Sequence, residues 1–136
     1  MNDNDGNGVN LIGDDVTIRS VNGIGGLVNN TIEMTVNSVD AINTTSGEIS
    51  LLEVAGTGIG NSGALDIVRL QQNSSGDTFV RTTAGQMTVL NAGAGGSGVT
   101  STAGGDITLS TFGNGTNDLV INHNVSATNG GSTLLS

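Results

Sequence analysis

The residues with the most suggestive spacing for chemistry lie near the start of the chain. Asp3-Asn4-Asp5-Gly6-Asn7-Gly8 matches the first half of a calcium loop, D-x-D-x-N-G. Calcium is held by several hard oxygen ligands, and acidic and amide side chains at alternate positions around a glycine turn supply them. Continuing the count, Val9 offers its carbonyl and Asp14 falls where a bidentate glutamate normally closes the site. Asp3, Asp5, Asn7, Val9 and Asp14 are therefore the candidate calcium ligands. Asp14 is shorter than Glu, and no helical pattern flanks the loop. The competing reading is a polar terminus with chance spacing.

Other chemistry is thinly represented. Gly113-Asn114-Gly115-Thr116-Asn117-Asp118 partly matches the calcium-roll nonapeptide, but it occurs once. Such repeats share each ion between successive turns, so a single copy reads as a corner. His123 is the sole histidine, there is no cysteine, and no G-x-S-x-G elbow occurs. Serines are plentiful but His123 would be the sole possible base, which argues against nucleophilic catalysis, and a thiolate metal site has no cysteine to build on. Asp66, Asp77, Asp106 and Asp118 are the carboxylates that a polysaccharide-acting site would use if they converged. A sugar groove would lack its usual stacking surface, since Trp and Tyr are absent and Phe79 and Phe112 are the only aromatics. The expectation is a protein that is not an enzyme, with no catalytic or cofactor-binding residues and calcium as the one candidate ion.

The elements that would position these residues must be built from unusual material. Of 136 residues, 23 are glycine and 35% are apolar, yet 1% are aromatic and none is proline or cysteine. An interior filled by Val, Ile, Leu and a little Met suits thin, layered packing better than a compact globule. Three Arg and no Lys stand against 12 Asp plus Glu, a net charge of −9. Such a chain cannot neutralise phosphates, which argues against nucleic acid and anionic lipid as partners. No apolar run approaches the ~18 residues of a membrane span. The acidic start lacks the basic and apolar regions of a signal peptide, so a piece of a longer secreted protein is expected.

Short strands recur along the chain: Val16-Thr17-Ile18, Ile32-Glu33-Met34, Ile49-Ser50-Leu51, Leu65-Asp66-Ile67, Met87-Thr88-Val89, Ile107-Thr108-Leu109 and Leu119-Val120-Ile121. Each places two apolar side chains on one face. Weaker strands between them are marked by Ile24 and Leu27, Val39 and Ile42, Val54 and Ile59, Phe79 and Val80, and Val99. The stronger anchors recur with a loose period of about 20 residues, the mark of a solenoid with turns of varying length. Strands this short are stable when stacked about 4.8 Å apart, burying a continuous apolar column. The fold class expected is all-β, a parallel β-solenoid of about six or seven rungs. The middle residues Thr17, Glu33, Ser50, Asp66, Thr88 and Thr108 are expected to form one outward column. An antiparallel sandwich is the competing architecture, and it would normally show two-residue hairpins and core aromatics.

Three cassettes, Gly47-Glu48-Ile49-Ser50-Leu51, Gly85-Gln86-Met87-Thr88-Val89 and Gly105-Asp106-Ile107-Thr108-Leu109, carry a resemblance to a known group. They resemble the repeats of large bacterial exoproteins of the filamentous-haemagglutinin and autotransporter-adhesin type. The resemblance covers roughly residues 13–121 and implies a right-handed β-helix, export to the cell surface, and adhesion or biofilm work. The amino-terminal secretion domain of such exoproteins is not recognisable here, which points to a middle segment.

The expected organisation is a polar segment over 1–14 holding the calcium-type loop, solenoid repeats over 15–125, and an incomplete rung or continuation over 126–136. The expected function is a structural or adhesive segment, extracellular or on the cell surface, stacking end to end with further copies or with the rest of a longer chain. A cell-surface or glycan partner fits that role. The competing classes are a calcium-dependent extracellular binding module and a β-helix polysaccharide-acting enzyme fragment.

Overall fold

The computed structural model describes residues 8–26, 30–55, 63–91, 93, 98–112 and 117–136. Among them no helix forms, and thirteen strands pair in parallel into two sheets. In chain order these are β1 (Leu11–Ile12), β2 (Asp15–Ser20), β3 (Ile32–Thr35), β4 (Ser38–Asn43), β5 (Ile49–Glu53), β6 (Leu65–Gln72) and β7 (Thr78–Thr82). They continue as β8 (Met87–Val89), β9 (Gly98–Ser101), β10 (Ile107–Thr111), β11 (Leu119–Ile121), β12 (Val125–Ala127) and β13 (Thr133–Leu135).

The first sheet runs β1-β3-β5-β7-β10-β13 and the second runs β2-β4-β6-β8-β11, with β9 also on β6 and β12 on β9. The chain thus visits one sheet and then the other as it advances. The eight-residue β6 serves two partners, giving residues 65–67 to β8 and residues 69–72 to β9. A register shift beside Val68, seen against β4, marks the division.

The seven strands expected from the apolar-polar-apolar signature all form, but they do not belong to one sheet. Those containing Ile32, Ile49 and Ile107 lie in the first sheet, and those containing Val16, Leu65, Met87 and Leu119 lie in the second. The period of about 20 mixed the two sheets, because strands of both carry the same signature. Register partners are 23 residues apart for Leu11 and Met34, 19 for Ile32 and Leu51, and 29 for both Ile49 with Thr78 and Thr78 with Ile107. The single outward column is corrected for the same reason. Ser50 aligns with Phe79 and Thr108, Glu33 with Leu52, Thr17 with Asp40, and Asp66 with Thr88. Ser50 is also buried, covered by Thr31, whose hydroxyl lies 2.9 Å from its own. Of the weaker strands, Val39 and Ile42 fall in β4, Phe79 and Val80 in β7, and Val99 in β9. Ile24 makes an isolated bridge to Ile49, Val54 lies just past β5, and Leu27 and Ile59 are outside the described residues.

The interior is made of aliphatic columns. Leu51, Val80 and Leu109 stack in the first sheet, and Ala41, Leu70 and Val99 in the second, every one fully buried. Parallel register places like on like, so no bulky aromatic is needed to fill irregular space.

Two devices hold the corner between the end of a second-sheet strand and the next first-sheet strand. One is a column of glycines, Gly47, Gly76, Gly105 and Gly131, shortly before β5, β7, β10 and β13. A Cβ on Gly76 would strike the carbonyl of Gly47, and one on Gly105 the carbonyl of Gly76. The backbones approach there as only glycine permits. The other is a buried polar ladder, Asn43, Gln72 and Ser101, aligned across β4, β6 and β9. Asn43 Nδ2 donates to Gln72 Oε1 at 2.8 Å and to the Gly47 carbonyl at 3.0 Å, while its Oδ1 accepts from Gly23 N–H at 2.8 Å. Gln72 Nε2 donates to the Gly47 carbonyl at 3.1 Å. Asn43 and Gln72 thereby satisfy backbone groups that the tight corner would otherwise bury unpaired, while the Ser101 hydroxyl is buried with no hydrogen-bond partner among the described residues.

Candidate functional site

The calcium-type loop falls mostly beyond what can be described: Asp3, Asp5 and Asn7 lie outside the described residues. Val9 is exposed, and Asp14 is engaged by its neighbours. The Asp14 carboxylate accepts a short hydrogen bond from Asn37 Nδ2, and its carbonyl accepts from the N–H groups of Asn37 and Ser38. Among the described residues no cluster of three or more His, Asp or Glu side chains could hold a metal ion. The partial calcium-roll match has Asn117 and Asp118 described and residues 113–116 outside. Asn117 caps Gly85 N–H at 2.9 Å, a corner role. His123 lies between β11 and β12, with Nδ1 buried near Gly98 and no hydrogen-bond partner for it among the described residues.

Of the four aspartates that a carbohydrate-acting site would need, the fold brings two together. Asp77 and Asp106 follow the stacked glycines Gly76 and Gly105, so they occupy equivalent positions one layer apart. Asp77 Oδ1 accepts from Asp106 N–H at 2.9 Å, and Asp106 Oδ1 accepts from Ser132 N–H at 2.7 Å. Each carboxylate spends one oxygen on the next layer's backbone. Asp66 instead faces outward from the second sheet beside Thr88, and Asp118 precedes β11.

Beside Asp77 and Asp106, on the outward face of the first sheet, sit groups that sequence reasoning did not assemble. Alternation along β7 puts Phe79 and Arg81 on one face. Phe112, just past β10, reaches the same place because its N–H bonds the Thr82 carbonyl at 3.1 Å. The Arg81 guanidinium carbon lies 4.7 Å from the Phe79 ring centroid and 5.9 Å from that of Phe112, within cation–π range. The chain's two aromatics therefore flank one guanidinium on an outer surface, and Phe112 is 53% exposed. Arg81 Nε is buried and has no hydrogen-bond partner among the described residues.

The other two arginines are occupied on the second sheet. Arg69 grips Asp40 through Nε at 2.9 Å and a terminal nitrogen at 2.7 Å, and Arg19 reaches the same carboxylate at 2.9 Å. Partial burial works to raise the Asp40 pKa, but the two guanidiniums outweigh it and hold the carboxyl below its ordinary value. Arg69 is correspondingly raised by its bond to Asp40. That cluster is closed on itself, whereas Arg81 is not.

Two shallow cavities share Arg81. One, about 330 Å³, is lined by Leu52, Arg81, Thr82, Thr83 and Phe112. The other, about 400 Å³, is lined by Asp77, Thr78, Phe79, Arg81, Asp106 and Thr108. Both reach the size of small-molecule sites. The signal that could have located this face is the pair of Gly-Asp steps at 76–77 and 105–106, which puts Phe79 and Thr108 side by side. Comparison of the chain with protein-family models, with curated proteins and with solved structures finds no match to any of them.

Proposed function

We propose that this chain is a segment of a right-handed parallel β-solenoid of about six or seven rungs, secreted or displayed at a cell surface, whose work is structural and adhesive rather than catalytic. The observation that carries this reading is the alternation of the chain between two sheets in which every strand pairs in parallel with the next layer. A layered body of this kind gains length by adding layers, with each new layer burying the apolar column of the last. The acidic balance of the chain suits solubility in an extended form.

The ends of the sheets support an assembly role. β1 and β2 lie at one edge and β13 at the other, and each pairs on one side only among the described residues. Ile12 is 74% exposed and Leu134 60% exposed on those edge strands. An open strand edge recruits another strand. In this reading the edges are covered by further layers, from a continuing chain or from a second copy.

Electron microscopy of the purified chain tests the assembly reading. End-to-end stacking predicts filaments with a layer line near about 4.8 Å. Dispersed monomers at high concentration would overturn it.

A further inference from the structure

We propose that the cleft bounded by Asp77, Phe79, Arg81, Asp106 and Thr108 binds a neutral saccharide. The proposal extends the adhesive reading but is independent of end-to-end stacking, so filaments without sugar binding would remove this site alone.

A pyranose ring presents three kinds of surface, and the cleft answers each. Its axial C–H face packs against an aromatic ring, and Phe79, half-buried on the outward face with the Arg81 guanidinium over one side of its ring, lines the cavity wall. Its hydroxyl protons need acceptors. Asp77 and Asp106 each commit Oδ1 to a backbone N–H, leaving Oδ2 with no hydrogen bond among the described residues. Its hydroxyl and ring oxygens need donors, and Arg81 is the one guanidinium without a carboxylate partner among the described residues. Thr108 lies on the same cavity wall, and the cavity's volume of about 400 Å³ accommodates a sugar ring.

The charges select the class of sugar. Two carboxylates rim the cleft and the chain carries −9 overall, so a uronate or sulfated unit would meet repulsion. A simple cation is disfavoured by Arg81 in the cavity lining. A neutral hydroxyl-rich ligand satisfies the donors and the acceptors together. The cleft is also built on rigid parts, since the glycine column and the Asn43–Gln72 ladder fix the corner from which Asp77 and Asp106 project.

The test is an amide NMR titration of the intact chain with cellotetraose, maltotetraose and β-1,4-galactotetraose at millimolar concentration, and with tetragalacturonate as the acidic counterpart. At least one neutral tetrasaccharide is expected to shift the amides of Phe79, Asp106 and Thr108. Asp77→Asn keeps the oxygen that accepts from Asp106 N–H but turns the other acceptor into a donor. It should weaken binding about tenfold with the spectrum otherwise intact. Phe79→Ala should do the same, while Arg19→Ala on the second sheet should leave affinity unchanged. The proposal is overturned if none of the neutral sugars shifts these amides, if tetragalacturonate binds more tightly than they do, or if Asp77→Asn and Phe79→Ala bind like the parent.

Discussion

Replacing Glu53 by glutamine should make the protein more stable at neutral pH, and by an amount that grows with pH. Glu53 ends β5, is fully buried, and accepts from Val36 N–H through both carboxyl oxygens at 3.2 Å. Burial pushes its pKa up from the usual 4.5 to about 8, and the Val36 hydrogen bond opposes that rise without cancelling it. Because the folded-state pKa lies above the unfolded one, the folded state binds the extra proton. Stability from this group is complete below pH 4.5, falls as pH rises from there, and levels off once the folded pKa near 8 is passed. Each pH unit in that window costs about 1.4 kcal/mol, so at pH 7 the deficit is about 3 kcal/mol. That is a large share of the ~5–15 kcal/mol typical of a domain. The Glu53→Gln variant would keep an oxygen for Val36 N–H and lose the linkage. Urea unfolding of both proteins at several pH values between 4.5 and 8.5 reads the difference directly. General acidic repulsion is common to both and cancels. Parallel profiles, with no growth of the gap above pH 5, would refute the reasoning.

Three further perturbations probe the other devices. Gly105→Ala drives a methyl into the Gly76 carbonyl, and a loss of about 2–4 kcal/mol in urea unfolding is expected, whereas Gly13→Ala, whose Cβ would meet only the Val16 side chain at 3.7 Å, should cost well under half of that. Gln72→Leu removes two bonds of the buried ladder, its donor to Gly47 and its acceptor for Asn43, while both groups keep other partners; the expected loss is about 1–2 kcal/mol, seen as a lower melting temperature. Asp40→Asn should flatten the acid limb of the stability profile: the lowered Asp40 pKa stabilises the folded state above the ordinary value of 3.8 and ceases to as pH falls through the folded pKa. An unchanged acid limb would show that the Arg19–Asp40–Arg69 cluster adds no stability.

The strands were legible because their chemistry is local. Two apolar residues flanking a polar one bury a single face whichever sheet receives them, so Ile49-Ser50-Leu51 and Leu65-Asp66-Ile67 both announced themselves. Which sheet each joins is decided by the corners, and the corners carry weaker signatures. The layers of the first sheet are keyed by Gly47-Glu48, Gly76-Asp77, Gly105-Asp106 and Gly131-Ser132, steps 29, 29 and 26 residues apart. Two of these precede strands whose first residue is threonine, Thr78 and Thr133, which hid them from a search for apolar pairs. Gly85-Gln86-Met87 has the same spelling but opens a second-sheet strand, which drew the apparent period toward 20. The ladder of Asn43, Gln72 and Ser101 was out of reach for a different reason. A polar side chain at the end of a strand reads as exposed until the neighbouring layers bury it.

The face bearing Arg81 was half visible. Asp77 and Asp106 stood out as carboxylates that convergence would make useful, and the two phenylalanines as the sole aromatics. Their meeting depends on register between β7 and β10, a long-range quantity whose one trace in the sequence is the matched Gly-Asp steps at 76–77 and 105–106.

Register between parallel layers is the central claim, and proton–proton NOEs in solution measure it most directly. Parallel layering predicts inter-strand contacts that link Ile49 to Thr78 and Thr78 to Ile107, following the backbone bonds from Ile49 N–H to the Asp77 carbonyl at 2.9 Å and from Thr78 N–H to the Asp106 carbonyl at 2.8 Å. Strong Hα–Hα contacts between adjacent strands, the mark of antiparallel pairing, would contradict it.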